Sequence, residues 1–469
     1  MKKAFFITPP TGLWVREDRC QSPIEKTMFA VIRPPLRLGL AAAILEEASY
    51  KCAIADYPAE DKGWESFKKD LKQFDPDILF VSTVFKTRND DFRAFRIAKN
   101  HNKNIFTIMK GSPLGDDAGA LEECAELDIF LTKEIDRSLI SIISRENLHQ
   151  TTGITFRENG NIIKTPPAPF IKNLDALPFV ARHLLKNNLY RRPDTLEPLT
   201  VIQASRGCPF KCIFCSAIVG SGQVLRNRSP QNIVDEIEEC VNKYDVNNFL
   251  MGAETFTCDK KWVFNICDEI FKRDLKINWY CNSRVDTIDR ELASMIKKSG
   301  CYAVSLGIES GNQETLDKMK KGTTLTQAVE AVQVLKDAKI RTYLYYIIGF
   351  PWETREMIHE TINFALKLDG DISDFYFAHP LHGTELYKMA KEQNLLIEDN
   401  NFVCDCRIDS SHVSFKEQSK LCRSALLRFY LRPGYIFKTL AVIRSPKVAY
   451  RIARMGLSTL FKLVKATRF

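Results

Sequence analysis

The sequence predicts an α/β protein: a Rossmann-like, flavodoxin-type unit at the N-terminus, then an incomplete (βα)6 barrel, then a basic helical tail. Three observations carry this prediction. Short apolar strands alternate with amphipathic helices over residues 1–144, which marks a parallel sheet covered by helices. The same alternation restarts at residue 201 and gives six βα units by residue 390. Between them, residues 145–200 carry Pro166, Pro167, Pro169 and Pro178, which break helices and suit an extended connector.

In the first unit the expected strands are Ala4–Thr8, Ala53–Tyr57, Ile78–Ser82, Ile105–Met109 and Ile129–Leu131. Amphipathic stretches such as Leu38–Ala48 and Glu65–Phe74 lie between them. Ligands on such sheets bind at the carboxyl ends of the strands. Those ends are small or turn-forming here: Pro9-Pro10, Asp56-Tyr57-Pro58, Ser82-Thr83 and Lys110-Gly111-Ser112. They read equally as a cradle for a flat ligand and as ordinary loop chemistry. The connector opens on a hairpin, because Asn159-Gly160 separates Ile154-Thr155-Phe156 from Ile162-Ile163.

The second unit has strands at Val201–Ser205, Asn248–Met251, Ile277–Asn282, Ala303–Ile308, Thr342–Ile348 and Phe375–Phe377. Directly after the first of them stands Ser-Arg-Gly-Cys-Pro-Phe-Lys-Cys-Ile-Phe-Cys-Ser, residues 205–216. Cys208, Cys212 and Cys215 can converge with little ordering of so short a loop. A closed zinc site needs a fourth ligand, and none is near in sequence. Three thiolates with an open position suit an iron–sulfur cluster.

With 469 residues the chain exceeds one core, and its 45% hydrophobic and 27% charged content is that of a globular protein. No uncharged apolar run reaches the roughly 18 residues of a membrane span, and Lys2-Lys3 with a short strand is unlike a secretory signal. Fourteen cysteines without an even framework point to a reducing compartment. The net charge of +9 is concentrated in the tail, where Gln418–Phe469 holds 12 Lys or Arg and no Asp or Glu. The body is therefore mildly acidic and supports no basic groove for nucleic acid, although the basic tail alone does not exclude it. Apolar residues between those cations, including Leu426, Phe429 and Phe437, read either as a membrane-surface helix or as a tail packed on the barrel.

The C-x3-C-x2-C spacing, with Phe214 before the last cysteine, resembles the signature loop of the radical S-adenosylmethionine (SAM) superfamily. Further matches are Arg228-Ser229-Pro230, Asn282-Ser283-Arg284, Gly307-Ile308-Glu309-Ser310-Gly311, Gly349-Phe350-Pro351-Trp352-Glu353-Thr354 and Pro380-x-His382-Gly383-Thr384. The layout of residues 1–144 is similar to the cobalamin-binding domain found in part of that superfamily. The resemblance implies a 4Fe-4S cluster on Cys208, Cys212 and Cys215, with SAM on its free iron. Glu254 would take the SAM amino group and Arg284, beside Ser283, its carboxylate. Glu309 and Ser310 would bind the ribose, and Phe214 with Gly349 would flank the adenine. Ser82, Thr83 and Gly111 would border cobalamin. Two departures stand out. One acidic residue, Glu254, occupies a place where a pair is expected. The first-strand loop has no histidine, since the first in the chain is His101, so cobalamin would lack a lower imidazole from it.

The implied chemistry is reductive cleavage of SAM to a 5′-deoxyadenosyl radical, with cobalamin passing a methyl group to a substrate carbon. The expected partners are a reductant such as flavodoxin or ferredoxin and an apolar lipid, isoprenoid or tetrapyrrole substrate. The expected location is the cytoplasm, with the tail touching the inner face of the membrane. The rival readings are a cyclase or oxidoreductase without methyl transfer, and a non-catalytic electron carrier or sensor. Cys240, Cys258, Cys267, Cys281 and Cys301 read as packing residues.

Overall fold

The structure is a computed structural model that describes residues 1–16, 32–112, 117–192, 194–397, 407–410 and 412–442. Cys20, the Cys404-Asp405-Cys406 pair and the tail from residue 443 lie outside the described residues.

The first sheet contains β1 Lys3–Thr8, β2 Lys51–Asp56, β3 Ile78–Ser82, β4 Phe106–Lys110, β5 Ile129–Leu131, β6 Ile154–Glu158 and β7 Asn161–Lys164. Their order is β2-β1-β3-β4-β5-β6-β7, and the first five are parallel. Helices cover both faces, with Leu38 to Leu45 buried on one side and Phe67, Phe92 and Phe95 on the other. The hairpin does not belong to the connector. Its strands β6 and β7 pair antiparallel onto β5 and extend the sheet, which buries Ile154 and Phe156. Asn159 and Gly160 both take positive φ, +50° and +82°, as a tight hairpin turn requires.

The second sheet contains β8 Leu199–Gln203, then β11 Asn248–Gly252, β12 Asn278–Ser283, β13 Cys301–Glu309, β14 Arg341–Ile348 and β15 Ile372–Phe377. A two-residue ladder, β9 Ser205–Arg206 against β10 Arg226–Asn227, closes the base of the cysteine loop. The six long strands are all parallel and lie in sequential order, with β8 and β15 at the two edges. Helices follow the strands and cover one face; Ser229 caps Pro230–Tyr244 by accepting from the Asn232 N–H, as its sequence position predicts.

The bare face of this sheet carries Leu199, Val201, Leu250, Tyr280 and Ala303, and Leu36 of the first layer packs against it. The two layers are thus joined in space as well as by the connector. Within the connector Arg182 is buried, donates to Glu236 at 2.6 Å and to the Val201 carbonyl at 2.9 Å, and so ties the strap to the second layer.

The first part of the tail is core. Helix Phe415–Tyr430 buries Leu421, Cys422, Ala425 and Phe429, and the Tyr430 hydroxyl bonds both backbone groups of Ser373. Its apolar face is therefore occupied by β15 and not available to a membrane. Among the described residues no helix is long and apolar enough to cross one.

Candidate active site

The cysteine loop leaves β9 through Gly207, whose φ of +90° and whose approach to the Val224 carbonyl, 2.0 Å from where a Cβ would sit, exclude any other residue. Cys208, Cys212 and Cys215 form no disulfide among the described residues. The Cys215 N–H donates to the Cys212 carbonyl at 3.2 Å, which turns the loop back between the two. Cys208 faces Thr255, with Sγ 3.8 Å from Oγ1. Burial pushes the Cys212 thiol up, while the Lys321 and Arg284 cations beside it pull it down. Among the described residues no three His, Cys, Asp or Glu side chains are placed to hold a single metal ion. A mononuclear centre is thus not formed by them. A cubane differs in that each thiolate binds its own iron.

Strand ends of the second layer surround this loop. Arg284 lies over Phe210, its Cζ 3.6 Å from the ring centroid, and its fork donates to both Asp286 oxygens at 2.9 Å. Its Nη1 points to Cys212 Sγ at 3.8 Å, and its Nη2 donates to the Lys321 carbonyl at 2.7 Å. Ser283 is occupied locally, with its hydroxyl on Thr257 and 3.1 Å from Thr287. Glu309, at φ +64°, meets Lys321 at 2.7 Å in a nearly dry pair. Gly307 makes room for it, since a Cβ there would lie 2.3 Å from Glu309 Oε1. Ser310 is not brought to this group: it is fully buried against Thr361 at 3.0 Å and accepts from the Asn312 N–H. Phe214 packs edge-on to Phe350 at 5.9 Å, and Phe350 stacks on Trp352 at 5.1 Å. Gly349, at φ +90°, donates to Glu353 Oε2 at 2.6 Å, and Gln418 of the tail helix closes over it.

A cavity of about 250 Å³ lies between the layers. Thr8, Asp56, Ser82 and Lys110 reach it from the carboxyl ends of β1 to β4, and Gln203, Gly252, Glu254 and Asn282 from β8, β11 and β12. Thr83 and Gly111 stand one residue behind its wall. Thr83 donates to the buried Asp91 at 2.6 Å, and Gly111 lies flush against Phe130. Burial pushes Asp56 up to about 6 despite the Tyr190 hydroxyl at 3.0 Å. Among the described residues no histidine lines the cavity. His101 sits at the far end of its helix, 3.1 Å from Asp75, which precedes β3.

Sequence reasoning missed three features here. Lys321 has no strand-end position to announce it and becomes visible only when its helix–loop folds back onto Glu309. Glu134, just after β5, receives Arg226 through both oxygens at 2.9 and 3.0 Å and Arg206 at 3.3 Å, so the first layer grips the cysteine loop. Cys258 differs from the other four packing cysteines. It is half-buried and within electrostatic reach of Cys208.

The family described as the radical SAM superfamily matches residues 202–365. An uncharacterized methyltransferase of Pyrococcus horikoshii is 32% identical over 444 residues, covering 93% of this chain and 94% of the relative. An anaerobic magnesium-protoporphyrin IX monomethyl ester cyclase of Cereibacter sphaeroides is 28% identical over 382 residues, or 77% of this chain and 61% of the cyclase. The solved structure of the cobalamin-dependent S-adenosylmethionine radical enzyme OxsB, with aqua-cobalamin and S-adenosylmethionine bound, superposes with a TM-score of 0.74 at 16% identity. It covers 98% of this chain and 72% of OxsB, and shows the shared fold.

Proposed function

The chain belongs to the radical SAM superfamily, and from that premise we propose a cobalamin-dependent C-methyltransferase acting on an apolar lipid, isoprenoid or tetrapyrrole metabolite. One observation carries the reading: the carboxyl ends of two parallel sheets open onto a single cavity. Each such edge is a ligand-binding edge in its own right, so ligands held on the two layers face one another.

Cys208, Cys212 and Cys215 would hold three irons of a 4Fe-4S cluster. When bound, cluster, SAM and cobalamin supply reductive cleavage of SAM to a 5′-deoxyadenosyl radical and a methyl group for the substrate carbon. The residues of the chain orient and shield. Arg284, braced by Asp286 and Phe210, turns its Nη1 edge toward the cysteine loop, where a carboxylate is matched by it and by Lys321. Glu254 and Glu309 supply acceptors for an ammonium and for ribose hydroxyls. Phe214 and Phe350 offer an aromatic wall to the adenine. Ser310 acts through the loop it holds and not by contact. Asp56, Ser82 and Lys110 form the first-layer floor for cobalamin, without an imidazole.

Leu36, Val180, Val201 and Leu250 on the cavity wall support an apolar substrate. Reduction calls for a flavodoxin or ferredoxin in the cytoplasm. Exposed Ile436 and Phe437 at the end of the described tail are compatible with contact at the inner membrane face. A second reading, ring formation without methyl transfer, is favoured by the cyclase relatives. Anaerobic reconstitution with iron, sulfide and cobalamin, then assay for 5′-deoxyadenosine and product mass, tests the proposal. A product heavier by one methyl supports it, and absence of 5′-deoxyadenosine overturns it.

A further inference from the structure

The bare face of the second sheet continues past the cavity to strand β15, and there its chemistry changes. Along β14 exposure alternates, with Thr342, Leu344, Tyr346 and Ile348 buried under helices. Tyr346 stacks on Phe375 at 4.9 Å, and Ser373 is held by Tyr430 of the tail helix. Ser373 and Phe375 therefore face the helices, and period-two alternation turns Asp374 and Tyr376 to the opposite, bare face. Register puts Asp374 beside Tyr345 and Tyr376 beside Ile347. The Tyr345 and Tyr376 rings meet edge-on at 5.9 Å, and Tyr376 is 39% exposed at the sheet edge.

Asp374 forms no ion pair and no hydrogen bond among the described residues, and burial alone pushes its carboxyl up to about 6. The groups around it are the phenols of Tyr345 and Tyr430 and the Cys422 thiol, and none of these is a cation. The charge of Arg33, a first-layer residue on the cavity wall, reaches Tyr345. A partly buried carboxylate with no partner of its own is costly unless a ligand supplies one. Tyrosine faces beside it attract the same kind of partner, because an aromatic ring is negative on its face.

We propose that Asp374, with Tyr345 and Tyr376, anchors a cationic nitrogen of the substrate, an ammonium or protonated amine carried on an otherwise apolar body. This rests on the methyltransferase reading for the word substrate, but the recognition itself needs no turnover. The tail helix covers the β15 edge, through Tyr430 on Ser373 and Cys422 on the Phe375 carbonyl, so such a body reaches the group on the bare face, where Tyr376 is exposed.

The test is calorimetric titration of the reconstituted holoenzyme with 2-phenylethylamine and its neutral counterpart 2-phenylethanol, at about pH 8 so that Asp374 is ionised and the amine charged. The amine is expected to bind about tenfold tighter or more. That preference is expected to vanish in Asp374→Asn and to weaken in Tyr376→Leu, each shown to be folded by its thermal transition. Equal affinity for amine and alcohol in the wild type, or a preference that survives in Asp374→Asn, overturns the inference. If Asp374→Asn does not fold, the Tyr376→Leu comparison decides in the same way. Failure of SAM cleavage with the amine preference intact would sink the methyltransferase reading and leave this subsite standing.

Discussion

The Lys321 ammonium lies 2.7 Å from Glu309 Oε1, and both side chains are at most 10% exposed beside Cys212. Removing one partner strands a charge in a dry place. Lys321→Met is expected to cost about 3–5 kcal/mol of stability. The Lys321→Met/Glu309→Gln double variant should lose clearly less than the two single losses combined. Thermal unfolding of the four proteins measures the coupling; strict additivity would show that the pair does not interact.

Cys212 and Cys258 both lie near Cys208, yet they should behave oppositely. Cys212→Ala is expected to lose iron–sulfur absorbance and 5′-deoxyadenosine formation together. Cys258→Ser is expected to keep both. Loss in the second variant would make Cys258 a fourth ligand and close the iron that SAM requires.

Glu134 joins the layers through Arg206 and Arg226, all three largely buried. In Glu134→Ala the cysteine loop loses its tie to the first sheet and two cations lose their partner. Stability should fall by about 3 kcal/mol. The number of 5′-deoxyadenosine molecules released per methylated product should rise, because the two halves of the site are no longer held in register. An unchanged ratio would assign Glu134 to stability alone.

Glu353 is fully buried and accepts from the Gly349 and Phe350 N–H groups through one oxygen, and burial raises it from 4.5 to about 7. Between those values the folded state holds the proton and the unfolded chain has released it, so stability falls as pH rises through this window. Glu353→Gln keeps an oxygen for both donors and never ionises. The melting temperature of wild type relative to Glu353→Gln should decline from about pH 5 and level off above about pH 8. Parallel curves would refute the assignment.

The architecture was legible because both layers repeat one unit. Every strand expected in residues 1–144 and 201–390 is present within a few residues, since apolar runs bounded by turns leave little choice of register. The hairpin was legible as a hairpin from Asn159-Gly160, but not its attachment. Nothing local says that β5 leaves an edge to be covered. The tail was ambiguous for a similar reason. Basic residues among Leu421, Ala425 and Phe429 fit a membrane or a sheet equally, and only the presence of β15 selects the sheet.

By itself the sequence determined the cysteine loop, the two sets of strand ends and the absence of a histidine in the first of those loops, because each is a matter of spacing along the chain. Tertiary structure alone decided that both sets of ends open on one cavity, that Lys321 and Glu134 reach the cysteine loop, and that Ser310 turns away from it. These are contacts between segments distant in sequence. Such contacts depend on how layers pack and which way a side chain leaves its strand, and no local periodicity encodes either.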